Sequence, residues 1–323
     1  MSKLIPENEL HGVLDSSKIQ NYMHCPRKYF FEHILGWRSD QANVHLEFGT
    51  AWHMLMEVIY EKGFAPDVLA EAYQVFYDQY SEFFGPEHAE ANKPKTPDNV
   101  LRALPQYAAK YADADDFEVL HIEVAGSVEI APDRLLHFKT DTICQGDQGY
   151  FSLEHKSGSY FGATWSAQWR QKMQTGTYSH VLHSMYPNDE VYGVIINGAF
   201  FHAPPKMTKD GRPYANSRDN EFHRVPVRRN LQQMDEWLTQ ANHWVDMIER
   251  DHAALEDETD EQTSMNSFQK NTESCTKYGV CPFMDHCSVW SNPLQHVGEM
   301  PEGYKSEHWD PRNQPTAREV VEL

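Results

Sequence analysis

The sequence predicts a mixed α/β protein: one central sheet flanked by helices, a helical portion before it and a cysteine-rich metal-cluster segment after it. Three observations carry this. Apolar residues up to about residue 111 recur at helical spacing, and the segment from Val119 to Lys156 then turns to strand-like runs separated by turn residues. Beyond it, helical and strand patterns alternate until three cysteines crowd one short stretch near the C-terminus. At 323 residues, 40% hydrophobic and 24% charged, the chain can bury a full core.

The elements follow in order. Asp15, Ser16 and Ser17 are caps for a helix running through Ile19, Tyr22 and Met23 to Phe30, Ile34 and Leu35, with Gly36 as its stop. Residues 47–62 read as a second helix ended by Gly63, 66–84 as a third and 98–111 as a fourth, with a polar connection over 85–97. Strands are expected over 119–130, 135–144 and 150–156, joined by Ala-Pro-Asp-Arg and Gln-Gly-Asp-Gln-Gly turns. A helix over 165–184, a buried-type strand over 191–202, a polar loop over 204–220, a strand over 221–227 and a long helix over 231–255 come next. The tail after Trp290 reads as polar and irregular. No internal repeat or low-complexity segment interrupts this order.

Charge narrows the function. Twenty-eight basic against 48 acidic residues give a net charge of −20, which argues against nonspecific coating of nucleic acid. A local basic channel beside bound metal ions is still compatible with it. The acidic run 256–261 reads as a solvated face. The longest apolar runs, such as 191–201, are too short to span a bilayer, and the first residues lack the pattern of a signal peptide, so a cytoplasmic location is expected. Five cysteines, an odd number without a secretory signal, argue against a disulfide framework.

In Tyr150-Phe-Ser-Leu-Glu-His-Lys156, strand alternation puts Tyr150, Ser152, Glu154 and Lys156 on one face. A carboxylate and an ammonium thus project side by side at a strand end, which Ser157-Gly158-Ser159 then breaks. Glu-x-Lys alone is as readily a surface ion pair. Asp141 lies near the end of the preceding strand, and antiparallel pairing across a short turn brings it close to Glu154. Two carboxylates and a lysine suit metal-assisted phosphodiester hydrolysis: the acids offer hard oxygens to Mg²⁺ or Mn²⁺, and the lysine orients the nucleophile.

Asp141-x12-Glu154-x-Lys156 resembles the core of PD-(D/E)xK nucleases, in particular the RecB-like, CRISPR-adaptation-type iron–sulfur exonuclease branch. Residues 16–30, with Cys25 before Pro26, resemble that branch's opening helix. Gly49-Thr50-Ala51-Trp52-His53 resembles its Gly-x-x-x-His helix, and Gln174-x3-Tyr178 its Gln-x3-Tyr motif. The match spans about Ser16 to Trp290. It departs at Phe138, where the family has glycine, and a literal Pro-Asp at Pro132-Asp133 competes with Asp141 for the first acidic position.

The resemblance implies a restriction-endonuclease-like fold in one nuclease domain over 1–290, with a helical insertion over about 60–115, a nuclease core over about 116–255 and a polar tail over 291–323. It implies catalytic roles for Asp141, Glu154, Lys156, Gln174 and Tyr178, and a Mg²⁺ or Mn²⁺ site made by His53, Asp141, Glu154 and the His155 carbonyl. Cys275-x5-Cys281-x5-Cys287 needs a fourth ligand, and Cys25 is the candidate. Together they resemble the [4Fe-4S] ligands of that branch, whose first two C-terminal cysteines stand closer in sequence; zinc, with His24 or His286, is the alternative. Cys144 reads as a small core residue. Glu123 is a candidate for an additional acidic ligand, although a strand carboxylate is more often simply exposed, and Glu57, one turn after His53, either points inward with it or is solvated.

The expected substrate is DNA, as a single strand or a duplex end, with Arg170, Lys172, Lys206, Lys209 and Arg212 as candidate contacts and Arg224, Arg228 and Arg229 beside them. Tyr160, Phe161 and Trp165 are candidate stacking platforms. Relatives serve in recombination, end processing and CRISPR spacer processing, and many are phage-encoded. A recombination or replication protein partner, and a bacterial or phage-infected host cytoplasm, follow as expectations. The rival readings are a catalytically silent nuclease-fold DNA-binding or assembly subunit and a zinc-binding interaction protein.

Overall fold

The structure, a computed structural model, describes residues 4–210, 212, 214, 217–277, 279–314 and 317–323. The chain opens with α1 (Ser16–His24), capped by the Asp15 carboxylate on the Lys18 N–H at 2.7 Å. Cys25 is extended, with φ −162 and ψ 109, and α2 (Pro26–Tyr29) restarts the helix and passes into a π-helical turn, Phe30–Ile34. The single helix expected here is therefore two. Pro26 has no N–H to bond into α1 and disfavours helical backbone at the residue before it. Gly36 ends the segment at φ +68, as its sequence position predicts.

A short strand β1 (Trp37–Ser39) leads to α3 (Val44–Lys62), α4 (Pro66–Ser81) and α5 (Pro97–Tyr111). Three long antiparallel strands follow, β2 (Glu118–Ala131), β3 (Arg134–Gly146) and β4 (Gly149–Gly158). The helix expected over 165–184 is again two pieces, α6 (Ala163–Gln168) and α7 (Met173–Met185), because Lys172 is extended at φ −64 and ψ 140. Then come β5 (Val191–Phe200), β6 (Glu221–Val227) and the long helix α8 (Leu231–Glu256), which begins with an Asn230–Gln233 capping box.

The tail departs from its expected irregularity. After a short helix α9 (Met284–Val289), the strand β7 (Tyr304–Ser306) pairs with β1, and β8 (Glu319–Glu322) joins the central sheet parallel to β2. Its brevity and charge hide it from period counting.

The central sheet has six strands in the order β6-β5-β4-β3-β2-β8, mixed in direction because β4–β5 and β2–β8 are parallel. Its two faces are covered by separate apolar clusters. Leu182 and Val181 of α7, Val245 and Ile248 of α8, and Tyr22 of α1 pack on one, with Val194 and Ile196 of β5. Trp52 and Leu55 of α3, Phe76 of α4 and Tyr107 of α5 pack on the other, with Phe151 and Leu153 of β4. The helices α3, α4 and α5 thus form one layer on the sheet, while α1 lies on the other face with α7 and α8.

Candidate active site

The site arises where β3 and β4 part. Their ladder runs from Gly146↔Gly149 to Thr142↔Leu153 and stops, whereas β4 stays paired with β5 as far as Gly158↔Phe200. The next residues in that register are Asp141 and Glu154. Here β3 also loses its alternation: Phe138 packs in the α7-side cluster and Cys144 in the α3-side one. On β2, Glu123 adopts φ +54 where a partner for Asp141 would sit.

Asp141 turns into the gap. Its Oδ2 accepts the His155 backbone N–H at 2.7 Å, in place of a ladder bond, and its Oδ1 lies 3.2 Å from Nδ1 of His53 on α3. Glu154 comes from the α7 side: its Oε1 accepts from the Lys156 ammonium at 2.5 Å and from the Gln174 amide at 3.2 Å. Gln174 also donates to the Tyr178 hydroxyl, which in turn donates to the Lys139 carbonyl at 2.8 Å. Groups from both faces of the sheet therefore meet through one opening. Asp133, the rival acid, has φ +63 in the β2–β3 turn at the far end of β3.

The electrostatics pull the two acids apart. Glu154 is 1% exposed, and its Oε2 has no hydrogen-bond partner among the described residues. Burial, then the neighbouring Asp141 charge, pushes its carboxyl up to about 7. Burial also acts on Asp141, but His53, His155 and Lys156 outweigh it and hold that carboxyl well below the usual range. Burial opposes the charged forms of His53 and Lys156 too, and the two carboxylates win, raising both. A buried acid pair with one orphaned oxygen is an arrangement that a cation completes.

Residues 16–288 match the model of the PD-(D/E)XK nuclease superfamily. The chain belongs to that superfamily. No curated protein is similar enough to be matched with it. PD-(D/E)XK nucleases act on nucleic acid and typically use Mg²⁺ or Mn²⁺, and a six-stranded mixed sheet flanked by helices fits their restriction-endonuclease-like fold. The donor set fits a hard divalent ion: two carboxylates, one with a free oxygen, and a histidine. Among the described residues, no three His, Cys, Asp or Glu side chains are closed around an ion position as they stand. Lys156 holds Glu154 Oε1 and the His155 N–H holds Asp141 Oδ2, which leaves Glu154 Oε2 as the free carboxylate oxygen.

Sequence reasoning missed what supports this PD-(D/E)XK site. The His155 ring, buried and held neutral by burial with its pKa lowered to about 3, stacks on Tyr60 and accepts from Asn197 at 3.0 Å. Asn197 also meets the Tyr107 hydroxyl, Tyr107 meets Tyr60, and Arg224 bonds Tyr60 and both oxygens of Asp115. Arg224 is thus part of a buried network and is withdrawn as a substrate contact. No sequence signal links these residues, which come from five separate elements and one loop. Glu123 is likewise corrected: it is 4% exposed and paired with Lys139. Glu57 is bound by Arg318 of the tail at 2.6 Å.

Among the other candidate contacts, Arg229 donates to the Arg170 and Lys172 carbonyls and so fixes the α6–α7 break. Arg228 lies over Tyr192 and bonds Gln148. Lys172 and Lys156 both lie within about 6 Å of the Trp169 ring, at 5.6 and 6.0 Å. Arg170, Lys206, Lys209 and Arg212 are exposed, the last three in a loop that leaves the sheet beside Gly158, at the end of β4 that carries Lys156. Phe161 and Trp165 pack on Phe200 and are not free platforms; Tyr160, 59% exposed, stacks with Arg218.

Cys25, extended at the α1–α2 break, stands with Cys275, Cys281 and Cys287. Cys25 Sγ accepts from the Asn271 N–H at 3.4 Å and the Cys281 N–H donates to the Cys275 carbonyl at 2.8 Å; burial first, with neighbouring cysteines adding to it, pushes the Cys281 thiol up and the Cys287 thiol up to about 11. Cys144 is fully buried in the core. No helix among the described residues is long and apolar enough to cross a membrane.

Proposed function

We propose that the chain is a Mg²⁺- or Mn²⁺-dependent deoxyribonuclease of the RecB-like, iron–sulfur branch, an exonuclease in DNA recombination, end processing or phage DNA metabolism. The observation that carries this is the convergence of Asp141, Glu154 and Lys156 at one opening of the sheet, with Glu154 Oε2 left without a hydrogen-bond partner among the described residues.

Asp141, Glu154 and His53 would hold the ion together with the His155 carbonyl. The N–H and C=O of one strand residue point to the same edge, and the His155 N–H already faces Asp141, so its carbonyl faces the same gap. The ion, when bound, acidifies a water and offsets phosphate charge. Lys156, beside Glu154, would orient that water and add positive charge at the scissile phosphate. Gln174 and Tyr178 fix Glu154 and the Lys139 segment, while the Asn197–Tyr107–Tyr60–Arg224 network holds the His155 ring and hence its main chain. Arg170, Lys172, Lys206, Lys209 and Arg212 are assigned to the DNA backbone.

Cys25, Cys275, Cys281 and Cys287 would hold a [4Fe-4S] cluster that clamps the two chain ends. Four soft thiolates suit such a cluster, and zinc is the alternative.

The test is digestion of end-labelled single- and double-stranded DNA with Mg²⁺, Mn²⁺ or chelator. Stepwise shortening that needs the metal is expected. DNA binding without cleavage in any metal would leave the silent DNA-binding subunit as the correct reading.

A further inference from the structure

Arg27 is a buried cation with no carboxylate of its own. It follows Cys25 and Pro26 at the start of α2 and is 1% exposed. Its Nε donates to the Phe268 carbonyl at 3.0 Å, and its Nη1 is buried without a partner among the described residues. The segment that holds it, Phe268–Asn271, also meets Cys25 and Cys287, so the guanidinium lies beside two cysteines from distant parts of the chain, and Glu258 is the nearby carboxylate. The Glu258 oxygens are already bound by the backbone N–H groups of Asn266 and Ser267. A guanidinium does not give up its proton, and an unpaired one in the interior is strongly unfavourable. Neutral thiols cannot balance it; thiolates on a metal can.

The surroundings have the same character. The Asn271 N–H donates to Cys25 Sγ at 3.4 Å, the Lys270 ammonium bonds the Cys287 carbonyl, and Lys28 acts on Cys281. Donors and cations gather around the cysteines in a chain of net charge −20.

We infer that Arg27 is the internal counter-ion of a metal–thiolate cluster on Cys25, Cys275, Cys281 and Cys287, with its free Nη1 donating to a cluster sulfur. This rests on the cysteine reading above and adds the residue that sets the cluster's charge. Net charge and hydrogen bonds to sulfur are the levers by which a protein tunes such a centre.

The experiment compares the full-length wild type with Arg27→Gln and Arg27→Lys, all purified anaerobically. Iron, zinc and sulfide per chain, the visible spectrum, circular dichroism and the midpoint potential are measured. The expected result is an iron–sulfur spectrum in the wild type. Arg27→Gln then either loses the cluster while keeping its secondary structure, or shifts about tenfold toward the oxidised form, about 59 mV lower for a one-electron couple. Arg27→Lys, which keeps the charge, stays nearer the wild type. A folded Arg27→Gln with wild-type iron and potential overturns the counter-ion role alone. A folded wild type without iron, sulfide or zinc overturns the cysteine reading and this inference with it. Should Arg27→Gln fail to fold, Arg27→Lys decides: a folded, cluster-bearing protein supports the charge role, and a folded, cluster-free one overturns it.

Discussion

Asp141 and Glu154 share one opening in the sheet and are pushed in opposite directions, Asp141 down by His53, His155 and Lys156, Glu154 up to about 7 by burial. Environments that separate two carboxyls in this way mark a functional site. A measurable consequence follows for the metal-free protein. The folded state binds the Glu154 proton more tightly than the unfolded chain, whose carboxyl has the ordinary value of 4.5. The stabilisation from that proton is complete below 4.5 and lost as pH rises toward 7. Metal must displace the proton, so Mn²⁺ should raise the melting temperature increasingly over that interval. Glu154→Gln should lose most of this rise; a wild-type Mn²⁺ response independent of pH across the interval would contradict it. Residue identity made part of this legible. The short turn after Gly146 fixes the pairing that sets Asp141 opposite Glu154, and alternation puts Glu154 and Lys156 on one face. The roles of Asn197 and Arg224 were not legible, because a buried polar residue and a surface one look alike until the fold gives each its partners.

At the scale of elements, most helices and strands announce themselves by period, and the breaks within them carry the function. Pro26 stops α1 and leaves Cys25 extended toward the cysteine loop; Lys172, extended, lets α7 begin at Met173 and carry Gln174 to Glu154. Glu123, at φ +54, interrupts β2 beside the site, where a non-glycine residue costs about 1–3 kcal/mol. β8 is an element the sequence hides, a four-residue strand with a glutamate at each end and two valines between. It depends on Gly126: a Cβ there would meet the Val321 carbonyl oxygen at 1.9 Å. Gly126→Val should therefore expel β8, destabilise the protein by about 1–3 kcal/mol, and speed hydrogen exchange in Val124–Ser127. In a chain truncated before Arg318 the same substitution should cost far less. Equal losses in both backgrounds would show that β8 is not what the glycine accommodates.

The whole molecule ties its two ends to one sheet. The N-terminal helices cover both faces, the cysteine loop meets Cys25, and the tail runs back so that Arg318 bonds Glu57 and Glu61, on the same helix as His53. A chain of net charge −20 can act on a polyanion only where metal ions and a few exposed cations offset that charge. DNA binding should accordingly weaken with salt by a slope of only a few phosphates, and most steeply in chelator; a slope of about ten, as for a protein that coats DNA, would contradict it. The most direct test of the central claim is single-turnover cleavage of DNA in Mn²⁺ by wild type, Asp141→Ala, Lys156→Ala and Asp133→Ala. Loss of activity by about a thousandfold or more in the first two variants, with Asp133→Ala close to wild type, is the predicted result. Undiminished cleavage by Lys156→Ala, or a dead Asp133→Ala beside an active Asp141→Ala, would contradict the site described here.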